Sequence, residues 1–137
     1  MDIKKELSNY NTYKAKIIML ELKRNELYDI YLTLGGGGYD GVPTKTTFKQ
    51  SKIEKQAVKI VEERDKIEKD LREYERKIKL LDSLIRVLDE NKRIIVTERF
   101  INGKKIVDIA VGMRKDVTTI AKAIEKSIIM LNSIKIP

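Results

Sequence analysis

The sequence predicts an all-α protein, with a long helical hairpin or coiled coil followed by a small three-helix domain. Three observations lead there. The 137 residues include only two prolines and no tryptophan, and charged residues reach 36% against 42% hydrophobic ones. That balance suits long helices with narrow apolar seams. Apolar residues also recur at intervals of three and four over most of the chain, the period of a helical face. Finally, five of the seven glycines and one of the two prolines crowd into residues 34–43, "LGGGGYDGVP", dividing the pattern into two long segments. A chain of this length has room for one domain or two small ones.

The first segment, residues 3–34, contains neither glycine nor proline. Ile3, Leu7, Tyr10, Ile17, Leu20, Leu27, Tyr31 and Leu34 mark a seam, which Lys14 and Arg24 interrupt. Asp2 stands where an N-cap belongs. One continuous helix is expected.

The second segment opens with Ser51-Lys-Ile-Glu54, the form of a capping box in which Ser51 and Glu54 satisfy each other's backbone donors. Ile53, Ala57, Ile60, Arg64, Ile67, Leu71, Tyr74, Ile78, Leu81, Ile85 and Leu88 then alternate steps of four and three without a slip. That strict 3.5-residue period is the mark of a coiled coil, with charged residues on the outer positions. At about 1.5 Å per residue this helix reaches roughly 55 Å, and one narrow stripe does not hold it in water unaided. The partner is the first helix folded back, the same helix of another subunit, or both. A hairpin that also dimerises is favoured. Residues 1–88 therefore form one expected unit with a Gly-rich loop at 35–50, and residues 89–137 the other.

The glycines themselves are a weak phosphate cradle. A Walker A loop needs a strand before it and a Gly-Lys-Ser/Thr end leading straight into a helix. Here a helix precedes, and Gly41 is followed by Val42-Pro43. A chain reversal is the better expectation.

Composition narrows the function classes. There is no cysteine, hence no disulfide or thiolate chemistry, and no histidine, the commonest metal ligand and general base. No cofactor is expected, and an enzyme is disfavoured. No run of about 18 apolar residues exists to span a membrane. The opening Met-Asp-Ile-Lys-Lys-Glu leads into no signal-like apolar core, so a cytoplasmic location is expected. The net charge of +8 is uneven: residues 1–50 carry +2, residues 51–90 carry zero, and residues 91–137 carry +6, with 10 basic and 4 acidic side chains. A localised basic surface points to a polyanion, nucleic acid before membrane.

That basic third breaks the heptad at Asp89-Glu90-Asn91. Ile94, Ile95 and Phe100 form a new apolar set, stopped at Asn102-Gly103. Ile109 and Ala110 fall in a short helix, a break follows near Met113-Arg114-Lys115, and Asp116 caps a last helix whose Ile120, Ile124, Ser127 and Leu131 face inward. The small Ala110 lets two helices cross closely, and the first turns of the last helix are then free to enter a DNA major groove.

The pattern resembles region 4, the DNA-binding helix-turn-helix of bacterial sigma factors. The resemblance rests on Leu88, Asp89-Glu90, Arg99-Phe100, Gly103, Ile109-Ala110, Asp116, Thr119-Ile120 and Leu131. Two departures stand out. Arg114 and Lys115 occupy turn positions usually filled by glycine and an apolar residue. Ile128, Ile129 and Met130 replace part of a basic tail and are expected to contact another chain or the coiled coil. The whole order, with "SKIEKQAVK" after the loop and "ERFINGKK" to "TTIAKAIEK" at the end, resembles phage late-transcription regulators of the ArpU and RinA type. That resemblance covers nearly all of the chain. It implies an activator of prophage late genes that binds promoter DNA in the bacterial cytoplasm, beside the host RNA polymerase.

On this reading Val117 meets a thymine methyl, Thr118 either kind of base edge, and Lys122 guanine or phosphate. Arg114, Lys115 and Lys126 clamp the backbone, with Lys104 and Lys105 nearby. The close alternative is a sigma-like polymerase subunit, although no segment resembles a promoter-melting region. From a different class, a coiled-coil adaptor with a basic, protein-binding end accounts for the same helices.

Overall fold

A computed structural model describes residues 2–34 and 47–134, the side chains of 47–51 excepted. Every element in that range is helical, so the protein is all-α as expected. The elements are α1 (Ile3–Ser8), α2 (Tyr10–Thr33), α3 (Thr47–Val87), α4 (Glu90–Val96), a π-helical turn (Thr97–Ile101), α5 (Ile106–Met113) and α6 (Val117–Ser133). No helix among the described residues is long and apolar enough to cross a membrane. The glycine cluster falls outside them.

Two compact units form. Residues 15–75 make one, and residues 1–14 together with 76–137 make the other. The division differs from the 88/89 boundary that the heptad break suggested. Tertiary contacts join the start of the chain and the end of α3 to the C-terminal helices, so one unit is built from both ends of the sequence.

In the first unit α2 and α3 lie antiparallel. Lys16 reaches the Tyr74 hydroxyl, and Arg24 pairs with Glu68 at 3.3 Å. Leu27, Ile67 and Leu71 are buried, with Ile17, Leu20 and Ile60 packed against them. Arg24, an interruption in the sequence seam, keeps its place by meeting a carboxylate across the interface. Other details differ from the sequence pattern. Helix α3 begins at Thr47, so Ser51 lies inside it and is not its N-cap. Ile53 is exposed although the heptad places it on the seam.

The second unit, the head, begins with Asp2 as the N-cap of α1. Its Oδ1 accepts from the Lys4 and Lys5 amides at 3.1 and 3.4 Å. The single expected helix is broken at Asn9, which caps α1 before α2 starts at Tyr10. The break serves packing. Ile3 and Leu7 are buried with α1 against α6 and the π-turn, and the Ile3 amide donates to Asn132 Oδ1 at 3.2 Å. The Asn11 amide donates to the Ile101 carbonyl at 2.8 Å. Leu81, Leu84, Ile85 and Leu88 of the head are buried, Leu84 in addition to the heptad set. The Arg93 guanidinium donates to the carbonyls of Arg86 and Leu88, closing the C-terminus of α3. Asp89 caps α4 through the Lys92 amide at 2.9 Å. In α4 the buried pair is Ile95 and Val96, while Ile94 is exposed. Ile128 and Ile129, expected to contact another chain or the coiled coil, line an open cleft with Lys4 and Ser8 of α1, and Ile129 stays 62% exposed and Met130 is exposed too.

Candidate nucleic-acid interface

The helix-turn-helix is assembled around one small apolar cluster. Ile95, Ile109, Ala110 and Ile120 are buried together, with Ile106, Met113, Ala123 and Ile124 packed on them. Ala110 brings α5 close to α6, where a longer side chain has no room in a packed interior. Ser127 is fully buried on the same side of α6, and its hydroxyl donates to the Ala123 carbonyl at 2.7 Å, so no buried polar atom is left over.

The turn between α5 and α6 is a Schellman motif. The Lys115 amide donates to the Ala110 carbonyl at 2.9 Å and the Arg114 amide to the Val111 carbonyl at 3.2 Å. Arg114 itself sits at φ 54°, ψ 46°, the left-handed conformation usually given to glycine. The turn therefore keeps its shape despite the unusual residue, at a backbone cost of about 1 kcal/mol. Asp116 occupies the N-cap of α6, but its side chain makes no cap hydrogen bond, contrary to expectation. Only its carbonyl is engaged, accepting from the Ile120 amide at 3.1 Å.

With Ile120, Ser127 and Leu131 turned inward, the opposite side of α6 presents Thr118, Lys122 and Lys126 in one exposed row at successive turns. Val117, in the first turn, is 46% exposed. Arg114 and Lys115 are exposed in the turn just before that row. The structure thus brings six of the eight sequence candidates to the turn and the first ten residues of α6. Lys104 and Lys105 stand apart, at the other end of α5 and about 12 Å away along its axis.

The two lysines also differ from each other. Lys105 is exposed at the N-cap position of α5. Lys104 is held by the Glu98 carboxylate in a close ion pair, while Asn102 Nδ2 donates to Glu98 at 2.8 Å. The Lys104 and Asn102 hydrogen bonds hold the Glu98 carboxyl below its ordinary range. Arg99 donates to the Lys104 carbonyl at 3.1 Å, and Gly103 takes φ +68° to bring the chain round. Lys104 therefore has its charge matched within the head. Lys105, Arg114, Lys115, Lys122 and Lys126 form no ion pair among the described residues. Sequence pattern alone missed this anchor, because Glu98 and Lys104 are six apart and meet only through the π-turn and Gly103.

The cleft between α1, the π-turn and α6, about 480 Å³, is lined mainly by Phe100, Ile106, Ile124 and Ile128, with Lys4 and Arg99. No group of three or more acidic residues among the described residues converges to hold a metal ion. No protein-family model, curated protein or solved structure matches the chain.

Proposed function

We propose that the protein is a sequence-specific DNA-binding regulator of transcription, acting on phage or prophage late promoters in the bacterial cytoplasm, beside the host RNA polymerase. The observation that carries this reading is the exposed row Thr118, Lys122 and Lys126 on α6, braced by α5 across Ala110 and led by the cationic turn Arg114-Lys115. A helix so held has a free polar face at its N-terminal end, the end that enters the major groove in helix-turn-helix proteins. The +6 charge of residues 91–137 supports a polyanionic partner. The likeness to sigma region 4 and to the ArpU and RinA regulators supports the promoter and the polymerase.

Division of labour follows from position. Val117, Thr118 and Lys122 read base edges, and Arg114, Lys115 and Lys126 hold phosphates. Lys105 adds a phosphate contact, while Lys104 is largely neutralised by Glu98. Sites selected from random duplex DNA, then compared by gel shift with the Lys122→Glu variant, test the assignment. The variant is expected to lose binding while its helical circular dichroism is unchanged. Binding retained by a folded Lys122→Glu protein would reject this face.

A further inference from the structure

Residues 91–137 carry four acidic side chains: Glu98, Asp108, Asp116 and Glu125. Three of them have a clear place. Glu98 is paired with Lys104, and Glu125 borders the cleft beside α1. Asp108 stands in the first turn of α5, where the helix dipole favours a negative charge. Asp116 has no such place. It occupies the N-cap of α6, yet its carboxylate makes neither a cap hydrogen bond nor an ion pair among the described residues. Although Asp116 stands four positions before the buried Ile120, its backbone is extended, at φ −70° and ψ 147°, and the residue is exposed. An unpaired negative charge therefore lies between the cationic turn Arg114-Lys115 and the first two residues of α6, Val117 and Thr118.

That location is costly for a protein whose partner is a polyanion. A carboxylate near phosphates is repelled, and it weakens binding to every sequence alike. The cost is offset where the carboxylate meets a hydrogen-bond donor, and in the major groove the donors are the exocyclic amines of bases. An ionised carboxylate accepts hydrogen bonds and donates none. Guanine offers it only acceptors, N7 and O6, and thymine an acceptor beside a methyl group. Adenine sets its amine next to the N7 acceptor. Cytosine presents a donor, N4, with no acceptor on its own major-groove edge.

We propose that Asp116 is a specificity residue of the candidate interface, selecting cytosine at the base pair met by the tip of α6 and rejecting guanine and thymine there. The assignment rests on the DNA-binding reading of α6. In helix-turn-helix proteins the N-terminal residues of the second helix contact base edges, and Asp116 directly precedes Val117 and Thr118. Helical side chains also lean toward the N-terminus, so this end of α6 reaches furthest. The carboxylate exchanges general affinity for selectivity: without it, random duplex binds more tightly and sites are told apart less well.

Sites selected from random duplex DNA with the natural chain, Asp116→Asn and Asp116→Ala test this. The natural chain is expected to fix cytosine at one position, and duplexes with thymine or guanine there to bind roughly tenfold or more weakly. Asp116→Asn keeps the shape and adds a donor, so the same position should turn to adenine, whose N6 and N7 an amide meets with two hydrogen bonds. Asp116→Ala should lose the preference at that position alone. Both variants should bind random duplex at least as tightly as the natural chain. Asp116→Ala should also melt with the natural chain, since no cap hydrogen bond is lost. Identical base preferences in all three proteins would overturn the proposal and leave DNA binding standing, as would an Asp116→Ala chain that only melts earlier, the mark of a plain helix cap. If the natural chain selects no sequence at all, the DNA-binding reading itself fails, and the role of Asp116 with it.

Discussion

The Tyr10 hydroxyl donates to the Asp82 carboxylate at 2.6 Å, across 72 positions of sequence. The bond ties the start of α2 to the last turns of α3 inside the head, where Tyr10 is buried and Asp82 half-buried. Removing it with Tyr10→Phe leaves the carboxylate without that donor. The expected cost is about 1–2 kcal/mol, read as a lower midpoint in urea denaturation with an unchanged slope.

The same contact makes a pH prediction. Burial first, then the hydrogen bond and the charge of Asp82, push the Tyr10 phenol from 10.0 up to about 12. The folded state thus favours the protonated form. Its contribution is complete below pH 10 and is lost as pH rises toward 12. Phenolate absorbance should show a late-titrating step, and Tyr10→Phe should remove it.

Arg114 offers a substitution with two opposite effects. Glycine takes φ 54° without strain, so Arg114→Gly should stabilise the head by about 0.5–1 kcal/mol and raise its melting temperature by a few degrees. DNA affinity should fall at the same time, because a phosphate-binding cation is gone. Measuring both on one preparation separates the turn's geometry from its charge.

Glu98 restrains Lys104, so Glu98→Gln should release a cation. Affinity for DNA is expected to rise, and the plot of log affinity against log salt to steepen by about 0.9, one additional phosphate contact. Fluorescence anisotropy on a fixed duplex measures both changes.

Ala110 sets the spacing of α5 and α6, being buried where they cross. Ala110→Leu overfills that crossing. A loss of about 1–3 kcal/mol is expected, measured by thermal unfolding, together with weaker DNA binding as α6 is displaced.

The sequence showed these features unequally. Ile109, Ala110, Ile120, Ser127 and Leu131 were legible because a helix in a small core repeats its buried positions every three or four residues. Asp2 was legible as a cap because its bond is local. The break at Asn9 was not, since α1 and α2 are separated by packing on α6 and the π-turn, which no local pattern encodes. Ser51 misled for a related reason: a capping box describes a possible helix start, and α3 begins one turn earlier, at Thr47. Asp116 was placed correctly at its N-cap, but its side chain makes no cap hydrogen bond. The cationic residues of the candidate interface were readable as charges. That Lys104 is neutralised while Lys122 is free depends on a π-turn and a left-handed glycine between Glu98 and Lys104. Arg114 illustrates the opposite: the sequence marked the turn as unusual, and the structure shows an ordinary Schellman turn carrying an unusual residue.

The salt dependence of duplex DNA binding, compared for the natural chain and Lys122→Glu, bears most directly on the proposed function. With Lys105, Arg114, Lys115, Lys122 and Lys126 available, log affinity is expected to fall against log salt with a slope of about −3 to −5, and Lys122→Glu to be far weaker at every salt concentration. Affinity that is absent, insensitive to salt, or equal in the folded variant would contradict a DNA-binding role for this face of α6.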